Sequence, residues 1–227
     1  MRPDDSLPQR VYGLLHAHWG PQNWWPADSR IEMIIGAVLT QNTAWRNVEK
    51  AIDALRAAGL LDGAALLSAP EASVKQAIRP AGFYNVKYRR LMAVMRYLSE
   101  RSYDWTWWQT APYGDVRASL LGVHGLGPET ADCMLLYAFG RPAFVVDAYT
   151  RRLFARLGCT WSSEPYDNVA AHLTRDLPVD TAVYGQYHAL IVAHCKAVCK
   201  KVPTCQDCAL MPLCTLPVER NLPTHST

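Results

Sequence analysis

The chain has 227 residues, which is long enough for one large domain or two small ones with a substantial buried core. Its 23 basic and 20 acidic residues give a net charge of only +3, which permits nucleic-acid binding without proving it. No window approaches the ~18 consecutive apolar residues of a membrane span, and the first ten residues lack the apolar core of a signal peptide, so we expect a soluble cytoplasmic protein (nucleoid-associated in a bacterium) with no membrane partner.

Apolar residues recur at helical spacing along most of the chain. This periodicity predicts helices at residues 7–18, 31–40, 47–58, 63–68, 71–78 and 86–100, then from 128 to about 139, and at 149–157, 166–174 and 180–196. Residues 23–26 and 103–112, which are both rich in tryptophan, predict loops. No segment alternates with the period of a strand, so the predicted fold class is all-α.

Two helical lobes fit the pattern better than a single bundle. We expect residues 27–140 to form one lobe, and residues 1–26 together with 141–227 to form the other. The four-cysteine segment at 199–214 falls in the second lobe.

The chain is organised around residues 120–152. A tight bend through Gly125-Leu126-Gly127 leads into a helix that opens at Pro128, a residue suited to the first helical position. Glycines on both sides of Leu126 allow positive φ and close approach of the backbone to another molecule. A bend that feeds a helix N-terminus leaves N–H groups pointing outward, which predicts a phosphate-binding site.

A lone acid follows the next apolar run. Phe144-Val145-Val146 is a sequence typical of a buried segment, and it delivers the carboxylate of Asp147. An acid in this setting is either a helix cap or a reactive group.

Four cysteines near the C-terminus have the spacing C-x5-C-x2-C-x5-C, namely Cys199, Cys205, Cys208 and Cys214. Cysteines this dense in a cytoplasmic chain indicate a metal site rather than disulfides. Structural zinc more often uses two C-x2-C pairs, whereas one close pair flanked by single cysteines is common for a [4Fe-4S] cluster, which we predict here. Lys200 and Lys201 at its edge are either a solvated basic face or a phosphate-contacting loop.

The order of these three parts resembles the helix-hairpin-helix (HhH-GPD) DNA glycosylases, and in particular the endonuclease III branch. The resemblance covers nearly the whole chain: the hairpin corresponds to residues 120–131, the essential aspartate to Asp147, and the cluster ligands to the four cysteines. The first cysteine gap is five residues where endonuclease III usually has six. The resemblance implies a base excision repair enzyme that acts as a monomer on double-stranded DNA containing damaged bases.

One position departs from the endonuclease III pattern. In bifunctional members a lysine stands two residues after the bend and attacks the sugar, whereas this chain has Glu129. A carboxylate cannot form an imine, so we expect a monofunctional glycosylase with weak or absent strand cleavage. Glu129 is either part of the base pocket or simply an acid stabilised by the helix dipole in a first turn.

Other residues resemble the monofunctional 3-methyladenine glycosylases of the same superfamily. They are Trp24-Trp25-Pro26, the L-T-Q-N-T run at 39–43, an aromatic residue at 45 and the E-T-A-D run at 129–132. In those enzymes aromatic side chains enclose a cationic alkylated purine, an attraction of about 0.5–2 kcal/mol. Trp24, Trp25 and Trp45 are therefore candidates for the base pocket, with ordinary core packing as the alternative for each.

The resemblance also implies how DNA is held. Gln41 is expected to fill the space left by an extruded base, and Lys87 to contact the backbone. The N–H groups of His124 to Gly127, including Gly125, are expected to hold a phosphate together with Thr130. Asp147 is expected to stabilise the oxocarbenium ion and to orient or deprotonate water.

Three alternatives stay open at this point. The first is an endonuclease III-type glycosylase for oxidised pyrimidines with weak lyase activity. The second is a non-catalytic binder of damaged DNA, and the third is an iron–sulfur redox sensor that uses DNA as its partner.

Overall fold

The computed structural model describes residues 6–216, and within them every regular element is helical. The α-helices are α1 Leu7–Trp19, α2 Arg30–Leu39, α3 Trp45–Ala57, α4 Gly63–Ser68, α5 Glu71–Ile78, α6 Tyr84–Ser99, α7 Trp105–Thr110, α8 Tyr113–Leu121, α9 Pro128–Cys133, α10 Ala148–Arg156, α11 Tyr166–Thr174 and α12 Thr181–Ala197. Short 3₁₀ turns occupy Arg79–Ala81, Thr160–Ser163 and Met211–Leu213. The predicted all-α class is confirmed. None of the described helices is long and apolar enough to cross a membrane.

The chain forms two compact units. Unit A contains Asn23–Val145 and Val179–Gly185, and unit B contains Met1–Gln22, Val146–Pro178 and Gln186–Thr227.

Helix α2 forms the centre of unit A. The Ser29 hydroxyl accepts a hydrogen bond from the Glu32 backbone N–H and so caps the helix, and every residue from Glu32 to Leu39 is buried. Helices α3, α6 and α9 pack around it. A helix that is buried on all sides explains why its sequence is apolar throughout rather than striped.

Two elements of unit A differ from the sequence prediction. The predicted single helix from 128 to about 139 is α-helical only to Cys133 and continues as a π-helical turn over Met134–Ala138. The predicted loop at 103–112 is wrong, because α7 occupies most of it. The Asp104 side chain accepts a hydrogen bond from the Thr106 N–H, and Trp108 is fully buried, so capping and burial together stabilise a helix of poor intrinsic propensity.

In unit B, α1 packs against the part of α12 that belongs to the same unit. The Tyr187 hydroxyl donates to the Pro8 carbonyl over 2.7 Å, and the rings of Tyr12 and Tyr187 meet edge to face at 5.2 Å. These contacts join residues far apart in the sequence and give unit B its core.

Candidate functional site

The hairpin consists of α8, the bend 122–127 and α9. Gly125 has a φ of +87°, in the left-handed region, and Leu126 is buried beneath the bend. The Arg117 guanidinium donates to both carboxylate oxygens of Asp132, over 2.7 and 3.1 Å, and locks the two helices together. His124 and Gly127 stay exposed at the turn, as the predicted phosphate contact requires.

Gln41 lies against this hairpin. Its amide nitrogen donates to the Gly125 carbonyl over 3.1 Å and to the Thr130 hydroxyl over 3.0 Å, while its amide oxygen accepts from Arg90 over 2.5 Å. The structure thus brings three predicted DNA-binding residues together. Arg90, which the sequence prediction did not include, holds the other end of the glutamine.

The structure contradicts the prediction that the Lys87 side chain contacts the DNA backbone. Its side chain is only 1% exposed, and its ammonium donates to the carbonyls of Leu39 (2.8 Å) and Ala81 (2.7 Å). Loss of water and repulsion by Arg90 lower the pKa of Lys87 to about 8. A buried lysine whose donors bind two backbone carbonyls holds the fold and does not reach a phosphate.

Phe83 lies in the turn that precedes Lys87 and α6. It has a φ of +46°, unusual for a residue other than glycine, and its side chain is 69% exposed. A single aromatic residue beside Gly82 gives no periodic signal, so the sequence analysis did not predict a role for Phe83. An exposed phenylalanine is nevertheless of the apolar type that wedges between base steps.

The three predicted pocket tryptophans come together in unit A. The Trp25 and Trp45 rings meet edge to face at 5.1 Å, and Trp24 lies 6.0 Å from Trp45. All three are half-buried rather than buried. The buried indole N–H of Trp24 has no hydrogen-bond partner among the described residues.

A cavity of about 140 Å³ opens beside this cluster. Trp25, Pro26 and Trp45 line it together with residues of α2 and α3, including Glu32 and Ile52. Beside these aromatic walls, the cavity is also lined by the charged side chains of Glu49, Asp53 and Arg56.

Glu129 lies exposed in the first turn of α9, which places it on the outside of the hairpin.

Asp147 belongs to unit B, where it is the N-cap of α10. Its Oδ1 accepts a hydrogen bond from the Thr150 N–H at 2.7 Å, and its Oδ2 lies 3.6 Å from His188 Nε2. Burial alone would raise the pKa of Asp147, but the approach of His188 and the hydrogen bonds from Thr150 outweigh burial and hold the pKa below its ordinary value. The carboxylate is therefore both a cap and an ionised buried group.

The four predicted ligand cysteines line one small cavity in unit B, whose remaining walls are largely aliphatic. The pKa of the Cys199 thiol is lowered to about 6 by a hydrogen bond from the Cys195 thiol and by the Arg156 guanidinium, against the opposing effect of burial. His194 Nε2 lies 3.5 Å from Cys208 Sγ. Within residues 6–216, no group of three or more His, Cys, Asp or Glu side chains has the geometry to hold a metal ion.

Arg156 is a residue of this region that the sequence prediction missed. Its guanidinium donates to Cys199 Sγ over 3.1 Å and to the carbonyls of Lys200 (2.6 Å) and Lys201 (3.0 Å). The two lysine side chains themselves are exposed. Arg156 therefore shapes the start of the cysteine loop and leaves the basic side chains facing solvent.

An all-helical fold with a glycine hairpin and a capped, buried aspartate defines a helix-hairpin-helix protein of the base excision type. The family model for the HhH-GPD superfamily of base excision DNA repair proteins matches residues 35–178. The chain belongs to this superfamily, is endonuclease III-like, and is a base excision repair DNA glycosylase.

Named relatives are similar along most of their length. A Methanocaldococcus jannaschii protein with the provisional name DNA repair glycosylase MJ1434 is 45% identical over 208 residues, which cover 90% of this chain and 94% of that protein. Endonuclease III of Thermotoga maritima is 29% identical over 187 residues, covering 80% and 81%.

Two solved structures have a similar fold. The H. pylori 3-methyladenine DNA glycosylase bound to 1,N6-ethenoadenine has a TM-score of 0.70 at 26% identity and covers 84% of this chain and 95% of its own. A non-covalent endonuclease III–DNA complex has a TM-score of 0.77 at 24% identity, covers 93% and 96%, and supports the fold alone.

Proposed function

We propose that this glycosylase removes a damaged base by hydrolysis without cleaving the strand, and that its preferred base is an alkylated, positively charged purine. The observation that carries the first part is Glu129. It stands where bifunctional relatives have their nucleophilic lysine, and a carboxylate cannot form the Schiff base that precedes β-elimination.

The open aromatic cluster of Trp24, Trp25 and Trp45 supports the second part. A cationic base gains about 0.5–2 kcal/mol over an indole face, whereas a neutral base does not gain this term. The similarity to a 3-methyladenine glycosylase agrees with this choice of substrate.

DNA is held as a duplex by one copy of the protein, with the target base extruded because its glycosidic bond cannot be reached inside the stack. The N–H groups of His124 to Gly127, with Thr130, bind a phosphate of the damaged strand. Gln41 and the exposed Phe83 fill the space that extrusion leaves. Lys200 and Lys201 add phosphate contacts in unit B.

Asp147 performs the chemistry in this proposal. Its ionised carboxylate stabilises positive charge on the sugar and accepts a proton from the attacking water as the base departs. A base that already carries positive charge is a good leaving group, so hydrolysis needs no separate acid. Four thiols are the donor set that a [4Fe-4S] cluster uses, and a bound cluster would tie the cysteine loop together, although within residues 6–216 these side chains are not arranged around a metal.

The test is a lesion panel under single turnover, with duplexes carrying an alkylated purine, thymine glycol or a uracil mismatch. Strand breaks that appear only after alkali measure base removal, and breaks without alkali measure lyase activity. We expect alkali-dependent breaks at the alkylated purine, and none with Asp147→Asn, although that variant still binds the damaged duplex. Full activity of Asp147→Asn would overturn the catalytic assignment.

Borohydride trapping tests Glu129 directly. We expect no trapped complex between the natural chain and abasic DNA, and a trapped complex with Glu129→Lys because an amine then stands at the position of the nucleophile. Efficient trapping with the natural residue would show that another lysine reaches the sugar.

A second candidate is an oxidised-pyrimidine glycosylase, which the similarity to Thermotoga maritima endonuclease III favours. Preferred release of thymine glycol in the same panel would select it. Tight binding without any base release would instead indicate a damage binder or a redox sensor.

A further inference from the structure

We propose that His188 is the positioning residue for Asp147, holding this carboxylate ionised and oriented for its reaction. This inference rests on the proposed function of Asp147. His188 is assigned as the partner of Asp147, whose reaction depends on its negative charge.

The geometry of the pair is specific. Asp147 Oδ1 accepts a hydrogen bond from the Thr150 N–H at 2.7 Å, and His188 Nε2 lies 3.6 Å from Oδ2. The side chains are 13% and 6% exposed, respectively. His188 lies on α12 and Asp147 at the start of α10, so the pair also joins two helices of unit B.

The location explains why a partner is needed. A carboxylate removed from water favours its protonated form, and a protonated Asp147 neither stabilises an oxocarbenium ion nor accepts a proton from water. A backbone N–H at the helix cap helps the anion, but a cation or strong donor at the second oxygen helps it more. The lowered pKa of Asp147 is consistent with His188 acting in this way.

The other titratable groups nearby are accounted for. On α10, the Arg152 guanidinium donates to the carbonyls of Cys199 (3.0 Å) and Cys195 (3.3 Å). On α11, the Tyr166 hydroxyl accepts from the Val146 N–H over 3.1 Å. On α12, Cys195 Sγ lies 3.6 Å from the Tyr149 carbonyl oxygen. His188 is therefore the group that faces Asp147 Oδ2.

The direct test measures the titration of Asp147 without DNA, by carboxyl-carbon NMR of the full chain. His188→Gln keeps an N–H donor at about the same distance but cannot carry charge. We expect the midpoint for Asp147 to rise in His188→Gln and to stay unchanged in His16→Gln, a control histidine that is exposed on α1. An unchanged midpoint in folded His188→Gln would overturn the proposal.

The second test is kinetic. Activity rises with pH as Asp147 ionises, so a higher midpoint moves the acid limb of the single-turnover rate to higher pH. We expect this shift in His188→Gln, and in His188→Leu at least a tenfold lower rate at neutral pH, with DNA binding retained. A role in folding alone would lower the amount of active protein and leave the pH profile in place, which would also overturn the proposal.

The two tests separate this inference from the proposed function. If the natural chain releases no base from any duplex, the proposed function fails, while the NMR titration still reports whether His188 controls Asp147. If His188→Leu does not fold, the NMR titration and the pH dependence of the single-turnover rate are both measured on His188→Gln.

Discussion

Unit A contains two groups of tryptophans that differ in what surrounds them. In the closed group, Trp108 is fully buried, stacks on Phe139 at 5.6 Å with a 12° angle, and donates its indole N–H to Tyr97. In the open group, the half-buried Trp24, Trp25 and Trp45 meet at tilted or edge-to-face angles beside a cavity. The same residue type therefore serves the core in one place and a candidate binding site in the other.

The largest expected effect is on the closed group. Trp108→Ala removes a fully buried ring and its hydrogen bond, and should lower the free energy of unfolding by about 3–5 kcal/mol. Chemical denaturation measures this loss. Trp107→Ala is the matched control because Trp107 is only half-buried, against Arg101, and should cost clearly less. Equal losses of unfolding free energy in the two variants would mean that the difference in burial between Trp107 and Trp108 does not determine their contributions to stability.

Lys87 is the polar counterpart of Trp108, since both side chains lie fully buried in unit A. Lys87→Met removes the ammonium donor from the Leu39 carbonyl and leaves the Ala81 carbonyl with only the Thr43 hydroxyl, and should cost about 1–3 kcal/mol of unfolding free energy. The salt dependence of DNA binding should not change, because no phosphate contact is lost. If the DNA affinity of Lys87→Met depended less steeply on salt concentration than that of the natural chain, Lys87 would be a DNA contact after all.

The same lysine gives a pH dependence. Its pKa is about 8 in the folded protein against an ordinary 10.5, so the unfolded chain binds more protons between these values. The stability of the natural chain relative to Lys87→Met should therefore rise as pH increases from 8 towards 10.5, and level off below and above this range. Denaturation at a series of pH values measures the difference, and a flat difference would contradict the shift.

The next effect concerns the open group. Trp45→Ala should reduce excision of a cationic base about 2- to 30-fold, the equivalent of 0.5–2 kcal/mol of cation–π attraction, with a smaller stability loss than Trp108→Ala. Single-turnover rates on cationic and neutral bases measure the effect. Trp45→Phe keeps an aromatic face and should recover most of the rate. An equal loss on neutral bases would argue for packing instead.

The smallest expected effect concerns Gly36, which lies beside the Trp25 ring. A Cβ on Gly36 would lie 3.4 Å from the Trp25 ring, at the edge of ordinary contact. Gly36→Ala should stabilise α2 by up to about 1 kcal/mol and leave excision unchanged. Gly36→Val, a bulkier residue, should displace Trp25 and slow excision. Melting temperatures and rates of the two variants together show how tightly this ring is held.

Local pattern was sufficient for most helices. Helices α4, α5 and α11 begin and end where their apolar spacing predicted. The exceptions are α7 and α8, which were not predicted. In α7, tryptophan and threonine are poor helix formers, and the burial of Trp108 stabilises the helix, a tertiary effect that spacing does not reveal.

The site was predicted unevenly for a related reason. Motif order predicted the hairpin, Asp147 and the four cysteines as parts of the site, because each lies in a distinctive local sequence. Lys87 was misassigned, and Arg90, Arg156 and His188 were missed, since each acts through partners distant in the chain. A lysine after a turn looks the same in sequence whether its ammonium faces solvent or two carbonyls.

The bend at Gly125 also constrains another position. A Cβ there would overlap the side-chain carbons of Arg90, the residue that holds Gln41. Position 125 is thus restricted twice, by its φ and by its neighbour on α6. A side chain at 125 therefore requires a shorter side chain at 90, whereas position 90 can be shortened while Gly125 is kept. Paired replacements would show energetic coupling that neither single replacement reveals.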